Sequence, residues 1–402
     1  MTVADTHSTN TDPDAPSLMD AFDFQLRTRM IFGPDSINRL GELAGEIGTR
    51  RALVVTDPGI VEAGHVEKGL SALKAANIET HVFDGAQENP TTENVDQALA
   101  VAKRFEPELL IGLGGGSSMD CAKGVNFLYS NGGRMQDYWG VGKALKEMLP
   151  MIAVPTTAGT GSEMQSFALI SDAETHVKMA CGDKKASCRM AILDPILTLT
   201  QPSLVTALTA VDALSHALET YVTRKRNKIS LVFSMEAWRL IATNLRRVFD
   251  EPDSLESRGR MQLGAAYCGV AIENSMLGGT HALANPLTAT YGIAHGQAIG
   301  VMLPHVIRFN GHTHGQLYQE MLFDIQGTGP DVPKVESGAA GLADFVASLI
   351  AATGLSGRLS DLGVSEEKIP EMAAAAAKQW TGTFNPRPLD IPALEELYRA
   401  AL

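Results

Sequence analysis

Cysteine is scarce in this sequence. The 402 residues contain only 4 cysteines, at positions 121, 181, 188 and 268, and no two of them form a C-x-x-C pair. Secreted proteins that rely on disulfides carry cysteines in dense, paired patterns. The sequence therefore predicts a protein without a disulfide framework. It also predicts a reducing compartment, with the cytoplasm as the expected location.

Basic residues are also few. Lys and Arg total 33 against 46 Asp and Glu, which leaves a net charge of −13. Nucleic acids and anionic membranes are bound through basic faces, so neither partner is expected. No uncharged apolar run reaches the roughly 18 residues that a membrane span requires. The opening segment, MTVADTHSTNTDPDAPSLMD, lacks the basic and apolar regions of a signal peptide and is expected to form a loose tail over 1–21 of a soluble protein.

The first half of the chain alternates between short apolar runs and stretches with helical spacing. The apolar runs are 52–57, 80–85, 108–116 and 151–157, and the stretches with apolar residues at i, i+3 and i+4 include 92–105 and 117–129. Strands that alternate with helices of this length form βαβ units and a parallel sheet. Such sheets bind ligands at the carboxyl ends of their strands, and a dinucleotide is expected to lie there.

The second half of the chain shows only helical spacing. The predicted helices are 203–222, 229–248, 257–273, 296–309, 337–353, 367–379 and 389–401. Pro202 suits a helix start, since proline is tolerated there and the following serine can cap the helix. We therefore expect an α/β domain over 22–203 and an all-helical domain over 204–402.

Glycine is abundant, with 38 residues, and part of it follows the predicted strands. The segment GLGGGSSMD (112–120) follows one strand and opens a helix, a context that lets backbone N–H groups approach a phosphate. A tight turn without a ligand is the alternative. The segment PTTAGTGSE (155–163) follows another strand, and its hydroxyls suit a ribose or pyrophosphate. An ordinary loop of Gly and Thr without a ligand is the alternative. Asp57 ends an early strand, where a carboxylate favours NAD over NADP, but Asp in a D-P-G turn is also common for local reasons.

Four side chains of the second half suit a divalent metal. Asp212 and His216 are spaced i, i+4 and share one helix face. His281 and His295 follow in surroundings rich in Gly, Ala and Thr, where the backbone can approach closely. One carboxylate and three imidazoles suit Fe²⁺ or Zn²⁺. A surface helical pair and buried structural histidines are the alternatives for each feature taken alone.

The sequence resembles the iron-dependent (group III) alcohol dehydrogenase family over nearly its whole length. The motifs that carry this resemblance are, in order, FGPDSINRLGEL, VVTDPG, ENPTTENV, GLGGGSSMDCAK, IAVPTTAGTGSE, VDALSHALETYVTR, THALANP, IAHG, LPHVIRFN and WTGTFNPRP. The resemblance implies a Rossmann-like nucleotide-binding domain followed by a helical domain, in a dehydroquinate synthase-like architecture. It also implies a homo-oligomer, a dimer or larger.

The resemblance also implies site residues. The implied metal ligands are Asp212, His216, His281 and His295, holding Fe²⁺ or alternatively Zn²⁺. The implied contacts to NAD(H) are Asp57, Asn89, Gly115, Gly116, Ser117, Asp120, Thr156, Thr157 and Ser162, with Lys178 and Leu193 on weaker local matches.

The expected activity is reversible hydride transfer between a small alcohol and NAD⁺, with the metal polarising the substrate oxygen. Met164 and Phe167 are candidates for an apolar substrate wall, or for core residues. One departure stands out: many members have a second histidine, thought to help proton transfer, where this chain has Asn285, which does not titrate near neutral pH. The alternatives are a hydroxyacid–oxoacid transhydrogenase that holds its nucleotide tightly, and a nucleotide-binding protein without catalysis.

Overall fold

The computed structural model describes residues 21–329 and 332–402. Its first part holds a parallel sheet of six strands. The nine strands among the described residues are β1 (Arg29–Phe32), β2 (Arg51–Val55), β3 (Glu79–Phe83), β4 (Leu109–Gly114), β5 (Gly140–Val141), β6 (Met151–Pro155), β7 (Phe167–Ser171), β8 (Lys178–Gly182) and β9 (Met190–Leu193). The helices of this part are α1 (Leu40–Ile47), α2 (Pro58–Glu62), α3 (His65–Ala75), α4 (Thr92–Phe105) and α5 (Gly116–Asn131).

The order of the strands creates a crevice above the sheet. The order is β1-β9-β6-β4-β2-β3. The chain adds β3 on one side of β2 and then crosses back to place β4 on the other side. The carboxyl ends of β2 and β4 therefore face a point where the winding direction reverses, and open parallel sheets bind ligands at such a point. The parallel α/β architecture expected for this half is confirmed.

A second, smaller sheet was not expected from the sequence. It has the order β5-β8-β7, and β7 and β8 pair antiparallel, with Phe167 opposite Gly182 and Ser171 opposite Lys178. This sheet packs against α5, where a Cβ added to Gly124 would lie 3.4 Å from the Ile170 side chain. The small sheet thereby brings Lys178 and Phe167 toward the helix that begins at the glycine-rich turn.

The second part of the chain is helical, as expected. Its helices among the described residues are α6 (Ser203–Val222), α7 (Lys228–Asn244), α8 (Arg247–Asp250), α9 (Leu255–Asn274), α10 (Gly279–Tyr291), α11 (His295–Asp324), α12 (Gly338–Ala352), α13 (Ile369–Ala376) and α14 (Ile391–Ala400). Helix α10 was not predicted, and α11 runs well beyond the predicted 296–309, with non-helical dihedrals at His314. The fully buried Trp238 lies in the core of these helices and donates from its indole to the Met321 carbonyl at 2.9 Å.

The expected domain division is consistent with where the elements fall, and it stays a prediction. The last strand, β9, ends at Leu193, and α6 begins at Ser203. Of the expected tail, only Ala21 belongs to the described residues. Two backbone contacts fix α9 against the loop after β6: a Cβ on Gly269 would lie 2.2 Å from the Gly161 carbonyl oxygen, and one on Gly161 would lie 2.6 Å from the Ala265 carbonyl oxygen.

One segment is apolar enough, by length and composition, to cross a membrane. Residues Val335–Ala352 have a mean hydropathy of 1.4 over 18 residues. The segment contains Glu336 and Asp344, and its helix α12 buries Leu342, Val346 and Leu349 in the helical core. A core helix of this kind passes the same test, so a single such segment does not indicate a membrane span.

Candidate metal centre and nucleotide crevice

Three helices bring the four expected ligand side chains together. Asp212 and His216 lie one turn apart on α6, while His281 lies in the first turn of α10 and His295 is the first residue of α11. Asp212 Oδ1 lies 3.3 Å from His216 Nε2, 3.5 Å from His281 Nε2 and 3.7 Å from His295 Nε2. The donor atoms of four residues from three helices therefore lie around one point.

The chemistry of this donor set fits a cation. The Nε2 atoms of His216 and His281 face each other at 3.2 Å, and the ligand atoms of these two residues and Asp212 all lie within 4.8 Å of one another. Asp212 Oδ1 is buried and has no hydrogen-bond partner among the described residues. Carboxylate and imidazole donor atoms that converge in this way are a typical ligand set for a divalent metal ion. His295, whose side chain is 26% exposed, marks the open side of the cluster.

The electrostatics of the cluster favour ligand binding by most of its members. For Asp212, burial alone would raise the carboxyl pKa, but the neighbouring histidines outweigh it and hold that pKa well below its usual range. Burial lowers the pKa of His295 to about 3 and also lowers the pKa of His216. Burial opposes protonation of His281 as well, yet the carboxylates of Glu219 and Asp212 outweigh it and raise the pKa of His281 to about 9.

Sequence reasoning missed Glu219, which contacts His281. Its carboxylate Oε2 hydrogen-bonds to His281 Nδ1, and its Oε1 accepts from the Thr280 backbone N–H at 2.7 Å. Glu219 lies on α6 seven residues after Asp212 and three after His216. Two helical turns separate it from Asp212 on the same face, and that spacing is the signal that was available.

The glycine-rich turn after β4 leaves its backbone bare. Gly115 precedes α5, and a Cβ on Gly116 would lie 2.7 Å from the Thr160 hydroxyl. Gly114 has φ +148°, and a Cβ there would lie 2.5 Å from Ser118 Oγ. A Cβ does not fit at Gly114 or Gly116, so the N–H groups that open α5 can meet an anion directly.

Asp57 lies beside this turn, at the end of β2. Its Oδ2 accepts a hydrogen bond from Ser118 Oγ at 3.0 Å, and its Oδ1 accepts from the Ile60 backbone N–H at 3.2 Å. The carboxylate therefore caps α2 and also joins the two strand ends that flank the crevice. This double contact explains how a half-buried acid keeps a fixed position there.

Asn89, Ser117 and Lys178 form a second group at the turn. The Asn89 backbone N–H donates to Ser117 Oγ at 3.3 Å, and Lys178 Nζ donates to Asn89 Oδ1 at 3.1 Å. Asn89 has φ 52°, a left-handed conformation that asparagine tolerates better than most residues. The small sheet thus positions the exposed Lys178 near the start of α5.

Asp120 and Ser162 lie below the turn and bind each other. Ser162 Oγ donates to Asp120 Oδ1 at 2.7 Å, and burial raises the pKa of the Asp120 carboxyl. Lys123, which sequence reasoning missed, is fully buried, and its ammonium donates to the Ser162 carbonyl at 2.6 Å, to Ser162 Oγ at 2.9 Å and to the Phe167 carbonyl at 3.0 Å. The motif GLGGGSSMDCAK could have pointed to Lys123, since Lys123 follows Asp120 by nearly one helical turn. These three side chains tie α5 to the loop after β6.

The remaining expected contacts differ in exposure. Thr157 lies beside Gly115, where an added Cβ would be 3.5 Å from Thr157 Cγ2, and the buried Thr156 Oγ1 has no partner among the described residues. Leu193 is fully buried with Met164 in a small cluster against α9. The structure therefore brings the threonines to the turn and places the Leu193 side chain in the core.

The two candidates for an apolar substrate wall also differ in exposure. Met164 is a core residue, whereas Phe167 is partly exposed and lies 6.3 Å, centroid to centroid, from Trp380. Asn285, four residues after His281, donates to Gln379 Oε1 at 2.9 Å. The side chain that stands in place of the family histidine is thus linked to the segment that carries Trp380.

Comparisons with known proteins identify the family of this chain. The model for "Iron-containing alcohol dehydrogenase" matches residues 27–195, and the model for "Fe-containing alcohol dehydrogenase family, C-terminal" matches residues 206–402. The 1,3-propanediol dehydrogenase of Citrobacter freundii is 34% identical over 382 residues, covering 94% of this chain and 98% of that protein. The NAD-dependent methanol dehydrogenase of Bacillus methanolicus is 31% identical, covering 92% of this chain and 97% of that protein.

A solved structure shows the same likeness in three dimensions. The crystal structure of a 1,3-propanediol oxidoreductase has a TM-score of 0.91 and 33% sequence identity, covering 95% of this chain and 100% of that chain. Both family models together span almost all of the described residues. The chain therefore belongs to the iron-containing alcohol dehydrogenase family of oxidoreductases.

Proposed function

We propose that this protein is an NAD(H)-dependent alcohol dehydrogenase and aldehyde reductase that works with one divalent metal ion, Fe²⁺ or alternatively Zn²⁺. The observation that carries the metal part is the convergence of Asp212, His216, His281 and His295 on one point, with an unpartnered carboxylate oxygen among them. NAD-dependent relatives such as the methanol dehydrogenase support the nucleotide part. A homo-oligomer in the cytoplasm remains part of the proposal.

The bound groups would supply the reactive chemistry: the metal a Lewis acid for the substrate oxygen, and the nicotinamide a hydride donor or acceptor. Asp212 and His216 present their ligand atoms from one rigid helix face, and His295 lies at the exposed side through which a substrate would enter. The partly exposed Phe167 and the exposed Trp380, whose rings lie close together, would offer apolar surface to a substrate. The names of the relatives favour small alcohols as substrates, and the corresponding aldehydes in the reverse direction.

The crevice above β2 and β4 would hold the nucleotide. The bare backbone of Gly115 and Gly116 suits its pyrophosphate, and Ser117 and Thr157 place hydroxyls beside that backbone. Lys178 adds a positive charge near the same turn. The Asp57 carboxylate would accept hydrogen bonds from the adenosine ribose and repel a 2′-phosphate.

Asn285 leaves proton transfer to other groups, because an amide does not titrate near neutral pH. Its side-chain amide donates to Gln379, so its place in the proposal is to hold the segment that bears Trp380. The proton would leave through a ribose hydroxyl of the nucleotide and water.

The test combines metal analysis with activity. Anaerobically purified protein is expected to contain about one Fe²⁺ or Zn²⁺ per chain and to oxidise NADH in the presence of one or more members of a panel of small aldehydes. His281→Ala is expected to lose both metal and turnover, while His312→Ala, which changes an exposed histidine on α11, keeps both. Full activity with normal metal content in His281→Ala would refute the ligand assignment.

The same assay separates the alternatives. Turnover between a hydroxyacid and an oxoacid without added NADH would indicate a transhydrogenase with a tightly held nucleotide. Protein with neither metal nor NADH-linked turnover would indicate a nucleotide-binding protein without catalysis.

A further inference from the structure

The first turn of α10 presents three N–H donors to side chains of other elements. The Gly279 N–H donates to Asn385 Oδ1 at 3.1 Å, and the Thr280 N–H donates to Glu219 Oε1 at 2.7 Å. The third donor is the imidazole of His281, whose Nδ1 contacts Glu219 Oε2. The first N–H groups of a helix have no partner within the helix, so α6 and the C-terminal segment supply the acceptors here.

Both groups that Glu219 contacts need an acceptor. A backbone N–H can only donate, and His281 must carry its proton on Nδ1 if Nε2 is to offer a lone pair to a metal. Glu219 is only 4% exposed, so water does not replace a lost partner. Among side chains of this length, only a carboxylate accepts at both ends.

We infer that Glu219 is a positioning residue that holds His281 in the tautomer and orientation required for metal binding. This inference rests on the metal part of the proposed function. His281 Nε2 lies 3.2 Å from His216 Nε2 and 3.5 Å from Asp212 Oδ1, so the ring already points into the ligand cluster. Carboxylates that orient a ligating histidine in this way strengthen metal binding in other proteins.

The C-terminal motif WTGTFNPRP supports the same turn from the other side. Asn385 and Asn310 form a reciprocal amide pair, with N···O distances of 2.7 and 3.1 Å, and both are buried. Asn385 also donates to the Arg387 carbonyl at 2.6 Å, and the Arg387 guanidinium stacks 3.7 Å from the Phe309 ring centroid. The carbonyl oxygen of the Asn385 side chain is thereby fixed toward Gly279.

Glycine at the helix start makes room for both acceptors. A Cβ on Gly278 would lie 3.3 Å from Glu219 Oε1, and one on Gly279 would lie 3.0 Å from Asn385 Oδ1. The close approach of α10 to α6 therefore depends on the GG pair in the segment GGTHALANP. The motif that carries His281 and the motif at the C-terminus act on the same helix turn.

The experiment measures the affinity of metal-free protein for Zn²⁺ by competition with a chromophoric chelator. Glu219→Gln replaces one acceptor with a donor, so either Thr280 or His281 loses its partner. When the amide nitrogen faces His281, it favours the tautomer with the proton on Nε2, which cannot bind metal. We expect Zn²⁺ affinity to fall by about ten- to a hundredfold, while NADH affinity, measured by fluorescence, stays within about twofold because its crevice lies on the sheet.

Two further variants keep the result interpretable. Glu236→Gln makes the same chemical change on α7 at a partly exposed residue that pairs with Arg239, and it is expected to leave Zn²⁺ affinity unchanged. Glu219→Asp retains two acceptor oxygens on a shorter side chain, so its affinity is expected to lie between those of the native protein and Glu219→Gln. If Glu219→Gln does not fold, an affinity for Glu219→Asp below the native value but still measurable supports the role.

The outcomes separate this inference from the proposed function. Native protein that binds no Zn²⁺, or binds it equally well after Asp212→Asn, would overturn the metal site itself. Native protein that binds Zn²⁺ while Glu219→Gln or Glu219→Asp binds it with native affinity would overturn only the role of Glu219.

Discussion

Single side chains in this protein often form hydrogen bonds to two neighbouring residues at once, and Asp57 is an example. Its Oδ1 caps α2 through Ile60 and its Oδ2 accepts from Ser118. A change that removes the whole side chain therefore disturbs local structure as well as charge. Asn keeps an oxygen acceptor and caps helices about as well as Asp, so the charge can be removed with little structural cost.

Removing the charge at position 57 is expected to change nucleotide preference. Asp57→Asn and Asp57→Gly should both raise the NADPH-to-NADH ratio of kcat/KM by about tenfold, because a like charge a few ångströms away costs about 1–4 kcal/mol at a partly exposed site. Steady-state kinetics with each nucleotide measures the ratio. Asp57→Gly should also lower thermal stability, since it loses the cap. An unchanged ratio in both variants would contradict the role of Asp57.

Glu163 is a buried acid whose titration opposes folding. Burial raises the pKa of its carboxyl to about 7, well above the value near 4.5 expected in the unfolded chain. Below pH 4.5 the carboxyl is neutral in both states. As the pH rises toward 7 only the unfolded state ionises, so native protein loses stability relative to Glu163→Gln, by about 3 kcal/mol in total.

Chemical unfolding of both proteins between pH 4.5 and 8 measures this difference. The gap should widen up to about pH 7 and then stay constant. Glu62→Gln is the control, because it makes the same chemical change at an exposed residue on α2. Parallel curves for native protein and Glu163→Gln across this range would contradict the prediction.

Whole helices and strands differ in how far the sequence predicts them. Strands β4 and β6 are continuous apolar runs, β2 is one after Arg51, and α4 has clear helical spacing and a Thr91 cap, so the local pattern was enough to predict them. Strand β1 is a short edge strand with the sequence RMIF, and β7 and β8 are five residues each, so none gave a run that stood out. These strands depend on partners elsewhere in the chain.

Helix α10 shows why part of the site could not be predicted. Its N-cap is Gly278, its first residue is Gly279 and it contains Pro286, a composition that local helix propensity disfavours. Its start is fixed by Glu219 and Asn385, about 60 and 106 residues away in sequence. The four proposed ligands could be named from the sequence because Asp212 and His216 have a local spacing and the motifs of the family mark the two later histidines. Asn385 had no local signal for its contact with Gly279.

The close packing of α9 on the loop after β6 gives a test at this level. A Cβ on Gly269 would lie 2.2 Å from the Gly161 carbonyl oxygen, so Gly269→Ala must push the loop away. We expect a loss of about 1–3 kcal/mol of stability. We also expect a raised KM for NADH, because the loop carries Thr156 and Thr157. Urea unfolding and steady-state kinetics measure the two effects.

A matched substitution separates packing from helix propensity. Gly45 lies in α1 with nothing within 4 Å of an added Cβ. Gly45→Ala should stabilise the protein by about 0.4–1 kcal/mol and leave the KM for NADH unchanged. If Gly269→Ala behaved in the same way as Gly45→Ala, the predicted importance of the contact between α9 and the loop would be wrong.

The molecule as a whole places its two proposed ligand sites on different parts of the chain. The proposed nucleotide crevice lies on the sheet, and the proposed metal cluster lies on α6, α10 and α11. The two parts share a small apolar cluster in which Met164, Leu193 and Val270 are buried together. They also share the hydrogen bond from Gln262 on α9 to the Pro155 carbonyl at the end of β6, at 3.1 Å. Unfolding either part exposes this shared surface.

We therefore expect the protein to unfold in a single thermal transition that both ligands raise. A ligand that binds only folded protein at a hundred times its Kd adds about 2.7 kcal/mol of stability. Calorimetry of metal-loaded protein should show one peak that NADH moves upward and EDTA moves downward. If the parts unfolded independently, NADH would move one peak and EDTA another. The variant Gly269→Ala disturbs the shared surface and weakens the coupling between the two parts. Of all these variants, it is the one expected to show two peaks.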